Sequence, residues 1–203
     1  MSTPPPGAKH APATLRNRDA ILAVLDRVLP DSGIVLEIAS GTGEHATWLA
    51  PQLPGIAWQP TDADESALES ITAWTQERAA ENVLPPLVLD VREDKWPVAA
   101  AAAIFCANMI HIAPWAAAEG LVRGAARILP PGGLLVLYGP FMIDGAHTAP
   151  SNASFDESLR ARNPEWGVRD LGAVTALAAG HGFALLEQVE MPANNLTVVF
   201  ERT

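Results

Sequence analysis

Apolar residues recur every three or four positions through residues 17–29, where Ile21, Leu22, Leu25, Val28 and Leu29 share one face and Pro30 ends the pattern. That spacing predicts an amphipathic helix. The pattern then shifts to short continuous apolar runs. Residues 33–39, 56–59, 87–89, 102–107 and 133–138 read as buried strands. Helical spacing returns between them. It runs from the glycine-bearing turn after residue 39 to about residue 50, and over 66–80 with Leu68, Ile71 and Trp74 on one face. Another helix starts at Pro114 and runs to about residue 129. Proline suits a first helical turn, where its missing N–H has no partner to lose. A helix over 170–181 follows. Residues 183–190 and 196–201 then predict an antiparallel pair joined through Met191-Pro-Ala-Asn-Asn195.

Strands alternating with helices predict an α/β fold, with a parallel sheet covered on both faces. Ligands of such sheets bind outside the carboxyl ends of the strands. Residues 139–170 interrupt the rhythm with a polar stretch that carries Phe141, Phe155 and Trp166. A connection this long is functional or contains its own short helix. It is read as a cap over the strand ends. Residues 1–12 hold four prolines and no apolar core, so they read as a flexible tail ahead of a single domain over 13–203.

Composition narrows the function. Of the 203 residues 49% are hydrophobic, enough for a sizeable core, and the apolar run over 98–106 is too short to span a bilayer. The net charge of −10 repels a phosphate backbone, so neither nucleic acid nor membrane is expected as a partner. Cys106 is the single cysteine and cannot form an internal disulfide. With no signal-peptide pattern, the expected compartment is the cytoplasm. Histidines 10, 45, 111, 147 and 181 lack metal-ligand spacing, and no metal is assigned.

The chemistry concentrates in Glu37-Ile-Ala-Ser-Gly41-Thr-Gly43-Glu-His45. Two glycines allow a sharp turn and close approach of backbone to a ligand. The turn alone also satisfies a dinucleotide pattern. Three carboxylates shift the balance. Glu37, inside the first strand, can hold the turn and an ammonium group. Asp62 follows the second strand, 19 residues after Gly43, where an acid accepts from ribose hydroxyls. Asp90, with Val91, ends the third strand, where a carboxylate can accept from an adenine amino group. Helix capping by Asp62 and a solvated loop at Asp90 are the structural alternatives. Lys9 and Lys95 are the only lysines, so no phosphate-binding lysine is at hand. S-adenosylmethionine has no phosphate and suits an acidic site. Ala39, Ser40, Gly41, Gly43 and His45 join the cofactor set, as do Asn108 and Met109 after the fourth strand.

The chain resembles the methyltransferase-like family first catalogued as domain of unknown function 938, which includes the methyltransferase-like 26 proteins. The resemblance rests on Val35-Leu-Glu-Ile-Ala-Ser-Gly-Thr-Gly43, Trp58-Gln-Pro-Thr-Asp62, Pro85-Pro-Leu-Val-Leu-Asp90, Asn108-Met-Ile-His-Ile112 and Leu137-Tyr-Gly-Pro140. It continues in Thr148-Ala-Pro-Ser-Asn152, Phe155-Asp-Glu-Ser-Leu-Arg160, Arg162-Asn-Pro-Glu-Trp-Gly167 and Met191-Pro-Ala-Asn-Asn-Leu196. It implies a Rossmann-like, seven-stranded class I methyltransferase sheet of order 3-2-1-4-5-7-6 with the last strand antiparallel. It implies no particular substrate. Met142 departs from the basic residue usual in similar proteins, which suggests a more apolar or differently charged acceptor.

The expected activity is methyl transfer from S-adenosylmethionine, leaving S-adenosylhomocysteine, to a small-molecule acceptor. A binding protein without turnover is the alternative. A nicotinamide oxidoreductase is a third reading, disfavoured because Tyr138 is followed four residues later by Met142 rather than lysine. Candidate bases are His111, Tyr138, His147 and Asp156. Candidate acceptor-binding residues are Asn152, Arg160, Asn163, Asn194 and Asn195. Arg160 can equally pair with Asp156 along a helix, and the two terminal asparagines can serve a turn. Arg16 and Arg18 are surface charges that could close over the cofactor.

Overall fold

The computed structural model describes residues 4–203; residues 1–3 of the expected tail lie outside the described residues. The chain opens with α1 (Thr14–Val28) and β1 (Gly33–Ile38), followed by α2 (Glu44–Leu49), β2 (Ile56–Asp62), α3 (Glu65–Glu77) and β3 (Leu87–Val88). Next come β4 (Ala103–Ala107), α4 (Trp115–Ile128) and β5 (Leu134–Gly139). The cap holds β6 (Phe141–Ile143), β7 (Ala146–His147), α5 (Pro150–Arg162) and β8 (Arg169–Asp170). The chain closes with α6 (Leu171–Gly180), β9 (Phe183–Met191) and β10 (Asn195–Arg202).

Seven strands form one sheet in the order β3-β2-β1-β4-β5-β10-β9. β10 runs antiparallel to both β5 and β9, and the other pairs are parallel. This is the expected order. Alternate side chains feed two cores. Val35, Phe105, Val136 and Val199 point to the face covered by α1 and α2. Leu36, Ile104, Leu135 and Val198 point to the face covered by α4 and α6. Cys106 belongs to this second core, and burial pushes its thiol up to about 12.

Two expectations change. The tail is tied down over residues 9–11. The Lys9 and Ala11 N–H groups donate to Ser70 Oγ and to the buried Glu44 carboxylate, at 2.8 and 2.6 Å. Trp74 Nε1 donates to the Lys9 carbonyl at 2.9 Å. Helix α3 also stops earlier than its apolar spacing suggests, because Ala79 turns left-handed at φ 46°. The cap is more than a loop. β6 pairs with β7 and β8 in a small second sheet, and α5 turns a largely polar face inward, with Asn152, Asp156 and Leu159 buried. No helix among the described residues is long and apolar enough to cross a membrane.

Candidate functional site

After β1 the chain turns through Ala39, Gly41 and Gly43, at φ 56°, 57° and 83°. Glycine is required at 43, since a Cβ there would lie 2.6 Å from Ile71 Cα. The turn is locked from below. Ser40 Oγ and Trp58 Nε1 donate to one oxygen of buried Glu37, at 2.8 and 3.1 Å. Burial pushes the Glu37 carboxyl up to about 7, against these two bonds. Ser40 also bridges to β2, donating from its N–H to the Thr61 carbonyl at 2.8 Å.

Two N–H groups of the turn are already taken. Gly41 N–H donates to Asp62 Oδ2 at 2.8 Å, and Gly43 N–H to the Ser40 carbonyl at 3.0 Å. The Glu44 carboxylate fills the space at the start of α2, where it accepts from Ala11 N–H and faces His10 Nδ1 at 2.9 Å. Two carboxylates, Asp62 and Glu44, thus stand where a dinucleotide would place its pyrophosphate.

Two cavities open at the carboxyl ends of the strands. The smaller, about 350 Å³, has apolar walls from Ile38, Leu89, Val91 and Met109, with Ala39, Gly41, Asp62 and Asp90 on its rim. Asp62 Oδ1 also accepts from Asp64 N–H at 2.9 Å. The Arg92 guanidinium bridges Asp90 at 2.6 Å and holds its carboxyl below the usual range. Apolar walls flanked by two carboxylates fit a nucleoside, and the volume lies within the ordinary range for a small-molecule site.

The larger cavity, about 830 Å³, is walled by Arg16 and Asn17 of α1, Asn108, Tyr138 of β5, Phe155 and Arg162 of α5, and Trp166. Asn152 of α5, Pro192 and Asn195 complete the lining. Ile112 and Trp166 line both cavities and mark their junction. Burial raises the Tyr138 phenol above its ordinary pKa, so it remains protonated near neutrality.

The remaining expected residues lie elsewhere. Glu37 and Ser40 hold the turn from beneath and line neither cavity. His45 faces Asn17 Oδ1 at 2.9 Å and packs edge-on to Phe105; burial pushes its pKa down to about 4. His111 is fully buried. Its Nδ1 accepts from Arg169 N–H at 3.2 Å, and burial pushes it down to about 3. Its Nε2 faces Gly139, where a Cβ would approach to 2.6 Å. The neutral imidazole lines neither cavity and stitches the loop after β4 to the cap.

Asp156 is a second stitch. It accepts from Val168 N–H at 2.7 Å and Arg160 Nε at 2.8 Å, and faces His147 Nε2 at 3.7 Å. Burial would raise its carboxyl, but these partners hold it below the usual range. Arg160 is therefore the i, i+4 partner of Asp156, away from both cavities. Asn163 caps a turn, accepting from Glu165 N–H at 3.0 Å. Asn194 supports Asn152 through its carbonyl at 2.8 Å without lining the cavity. Met142 pairs with His147 in the cap sheet and lines neither cavity, so its apolar character says nothing of the acceptor.

Sequence reading missed Ile112, Phe155, Arg162 and Trp166 as wall residues. The aromatic cluster of the cap was the available signal. Arg18, considered beside Arg16, stacks on Trp48 at 3.6 Å and lines neither cavity.

The model of a protein family of unknown function, DUF938, matches residues 8–202. Among solved structures, the S-adenosylmethionine-dependent methyltransferase SibL in its apo form aligns at a TM-score of 0.77 and 21% identity, covering 94% of this chain and 55% of its own. The mitomycin 7-O-methyltransferase MmcR aligns at 0.82 and 16% identity, covering 94% and 54%. Human N-acetylserotonin methyltransferase in complex with S-adenosylmethionine aligns at 0.77 and 15% identity, covering 94% and 52%. This chain spans about half the length of each, as those coverages of 52–55% show. At such identities the likeness is one of fold, the class I methyltransferase fold.

Proposed function

The chain belongs to the DUF938 family, and from the chemistry of its two cavities we propose that it binds S-adenosylmethionine and transfers the methyl group to a small-molecule acceptor. The observation that carries this reading is the closed turn. Its Gly41 N–H is held by Asp62, and its helix start is filled by Glu44. Such a turn repels a pyrophosphate and tolerates a nucleoside without one.

Asp62 would accept from the ribose hydroxyls, and Asp90 from the adenine amino group. Ile38, Leu89, Val91 and Met109 would enclose the base. Asn108 and Asn17 would meet the methionine end, with Arg16 as the cation nearest its carboxylate. When bound, the cofactor supplies an electrophilic methyl group on a sulfonium. The protein's own part is to hold an acceptor at the Ile112–Trp166 junction, aligned with that methyl and away from water.

Among the described residues, the larger cavity presents no histidine, carboxylate, lysine or cysteine. Tyr138, with its raised pKa, serves as a hydrogen-bond donor and not as a base. Of the four candidate bases it alone lines the cavity. The acceptor must therefore arrive already nucleophilic or release its proton to solvent.

Calorimetric titration with S-adenosylmethionine, S-adenosylhomocysteine and NAD tests the reading. Micromolar binding of the two sulfur nucleosides without NAD is expected; binding of NAD alone would refute it. Transfer of label from methyl-labelled cofactor then separates an enzyme from a protein that only binds.

A further inference from the structure

The protein carries a net charge of −10, yet the larger cavity is walled by two arginines and no acid. This inversion of the overall charge is local. Arg92, Arg27 and Arg160 each pair with a carboxylate elsewhere. Neither Arg16 nor Arg162 forms an ion pair among the described residues. A cleft lined by one sign of charge concentrates ligands of the other sign.

The two guanidiniums occupy different places. Arg16 projects from α1, on the side of the cofactor's methionine end. Arg162 projects from the last turn of α5, with its guanidinium carbon 5.4 Å from the Trp166 ring. Trp166 reaches the junction of the two cavities, and Phe155 lines the same wall of the cap. A group held by Arg162 thus lies beside two flat aromatic faces that lead toward the junction.

Two amides that line the same cavity have a defined polarity. Asn152 Nδ2 donates to Thr148 Oγ1 and the Asn194 carbonyl, at 2.9 and 2.8 Å. Asn195 Nδ2 donates to the carbonyls of Pro192 and Ala193, at 3.0 and 3.4 Å. An amide nitrogen has two donors, so both are used. The carbonyl oxygens of these amides remain as acceptors on the cavity wall. They call for a ligand that donates, through a hydroxyl or an amino group.

We propose that the acceptor is a small aromatic acid bearing a hydroxyl or amino substituent. Its carboxylate is held by Arg162, its ring lies along Trp166 and Phe155, and its donor group meets Asn152 and Asn195. This rests on the methyltransferase reading. In the step itself, a lone pair of the acceptor forms the bond to the methyl carbon as the sulfur–carbon bond breaks, and that electron pair stays on sulfur. A proton on the acceptor atom passes to water. The cavity's lack of a base agrees with a ligand that is anionic near neutral pH and held by fixed positive charge.

The test is calorimetric. The protein, saturated with S-adenosylhomocysteine, is titrated with hydroxybenzoates, aminobenzoates and hydroxycinnamates, each against its own carboxamide. At least one acid should bind about two- to fivefold more tightly than its amide, the size of one partly exposed ion pair. Arg162→Gln should erase that preference, and Arg162→Lys should retain part of it. S-adenosylhomocysteine affinity should be equal in all three proteins. The proposal falls if no acid of the panel binds, if the amides bind equally well, or if the preference survives Arg162→Gln. It also falls if Arg162→Gln weakens S-adenosylhomocysteine, which would place Arg162 in the cofactor site. Failure of S-adenosylhomocysteine to bind the unaltered protein would instead sink the cofactor reading, and the acids would still be read on the protein alone.

Discussion

The two sides of the site are built by opposite rules. On the cofactor side, the turn after β1 stands on a close-packed sheet, and its polar groups are arranged around a cleft with apolar walls. Both oxygens of Asp62 and of Asp90 accept local bonds, and both residues still line the cleft. On the cap side the relation is reversed. Helix α5 buries Asn152 and Asp156 along with a single leucine, Leu159, while Phe155 and Trp166 face the cavity. The cap buries only three apolar side chains, Phe141, Leu159 and Val168. Asp156 ties the cap together internally, accepting from Val168 and Arg160, while Arg169 fastens it to the loop after β4 by donating to His111, Ile110 and Ala113; Phe155 and Trp166 are left for a ligand. Arg169 donates to the carbonyls of Ile110, Ala113 and Glu165 at 2.9, 2.7 and 2.8 Å, and so clamps the Ile112 loop beside Trp166.

The sharpest way to break this contrast is to remove one carboxylate from each side. Asp62→Ala should weaken S-adenosylhomocysteine by about 10- to 100-fold, since hydrogen bonds to a charged acceptor are lost. Its effect on folding should be smaller, confined to the released Gly41 and Asp64 N–H groups. Calorimetry beside urea unfolding checks both. Unchanged affinity with a large loss of stability would make Asp62 a fastener like Asp156.

Asp156→Ala should show the reverse pattern. It strips Val168 N–H and Arg160 of their partner at a site where Asp156 is 8% exposed. A buried donor left without an acceptor costs about 1–3 kcal/mol. Urea unfolding should register that loss, and Asp156→Asn, which keeps an acceptor for Val168, should recover part of it. Binding of S-adenosylhomocysteine should change far less than in Asp62→Ala. A variant with full stability but no acceptor binding would return Asp156 to the catalytic set.

The contrast also explains what could be read from sequence. The strands and the turn with Asp62, Asp90, Gly41 and Met109 around it were legible, because continuous apolar runs and glycine turns are local signals; the sheet order came with the family resemblance. The cap was not. Polar residues such as His111, Asp156, Arg160 and Asn163 carry the marks of a site, yet whether a polar side chain faces a ligand or a neighbouring strand depends on contacts far apart in sequence. His111 and Arg169 are 58 positions apart. The i, i+4 pairing of Asp156 with Arg160 was the exception, since helix geometry alone brings those two together. Phe155 and Trp166 resemble core residues in a sequence, and only the polar inner face of α5 turns them toward the cavity.

Acidification should separate the two sides by the smallest and most specific effect. On the cap side His111 is held neutral by burial, with a pKa of about 3 against an ordinary 6.5. The unfolded chain binds the extra proton first, so the stability from this group is complete above about 6.5 and is lost as pH falls toward the folded value. On the cofactor side two groups oppose each other. His45, lowered to about 4 from 6.5, loses stability over much of the same range. Glu37, raised to about 7 from 4.5, has the opposite sign: its contribution is complete below 4.5 and is lost as pH rises through 7. Between 4.5 and 6.5 these two largely cancel, and His111 stands alone. Each uncompensated proton changes stability by about 1.4 kcal/mol per pH unit. The cap should therefore loosen before the turn. Protection of the Gly167, Val168 and Arg169 amides against hydrogen exchange, corrected for intrinsic rates, should fall between about pH 7 and pH 5. The amides of Ser40, Gly41 and Gly43 should hold. His111→Gln should flatten the response of the cap, and Glu37→Gln should expose His45 and make the turn acid-sensitive as well. Equal loss of protection on both sides in the unaltered protein would show that cap and turn open as one unit, and the division between a packed side and a fastened side would fail.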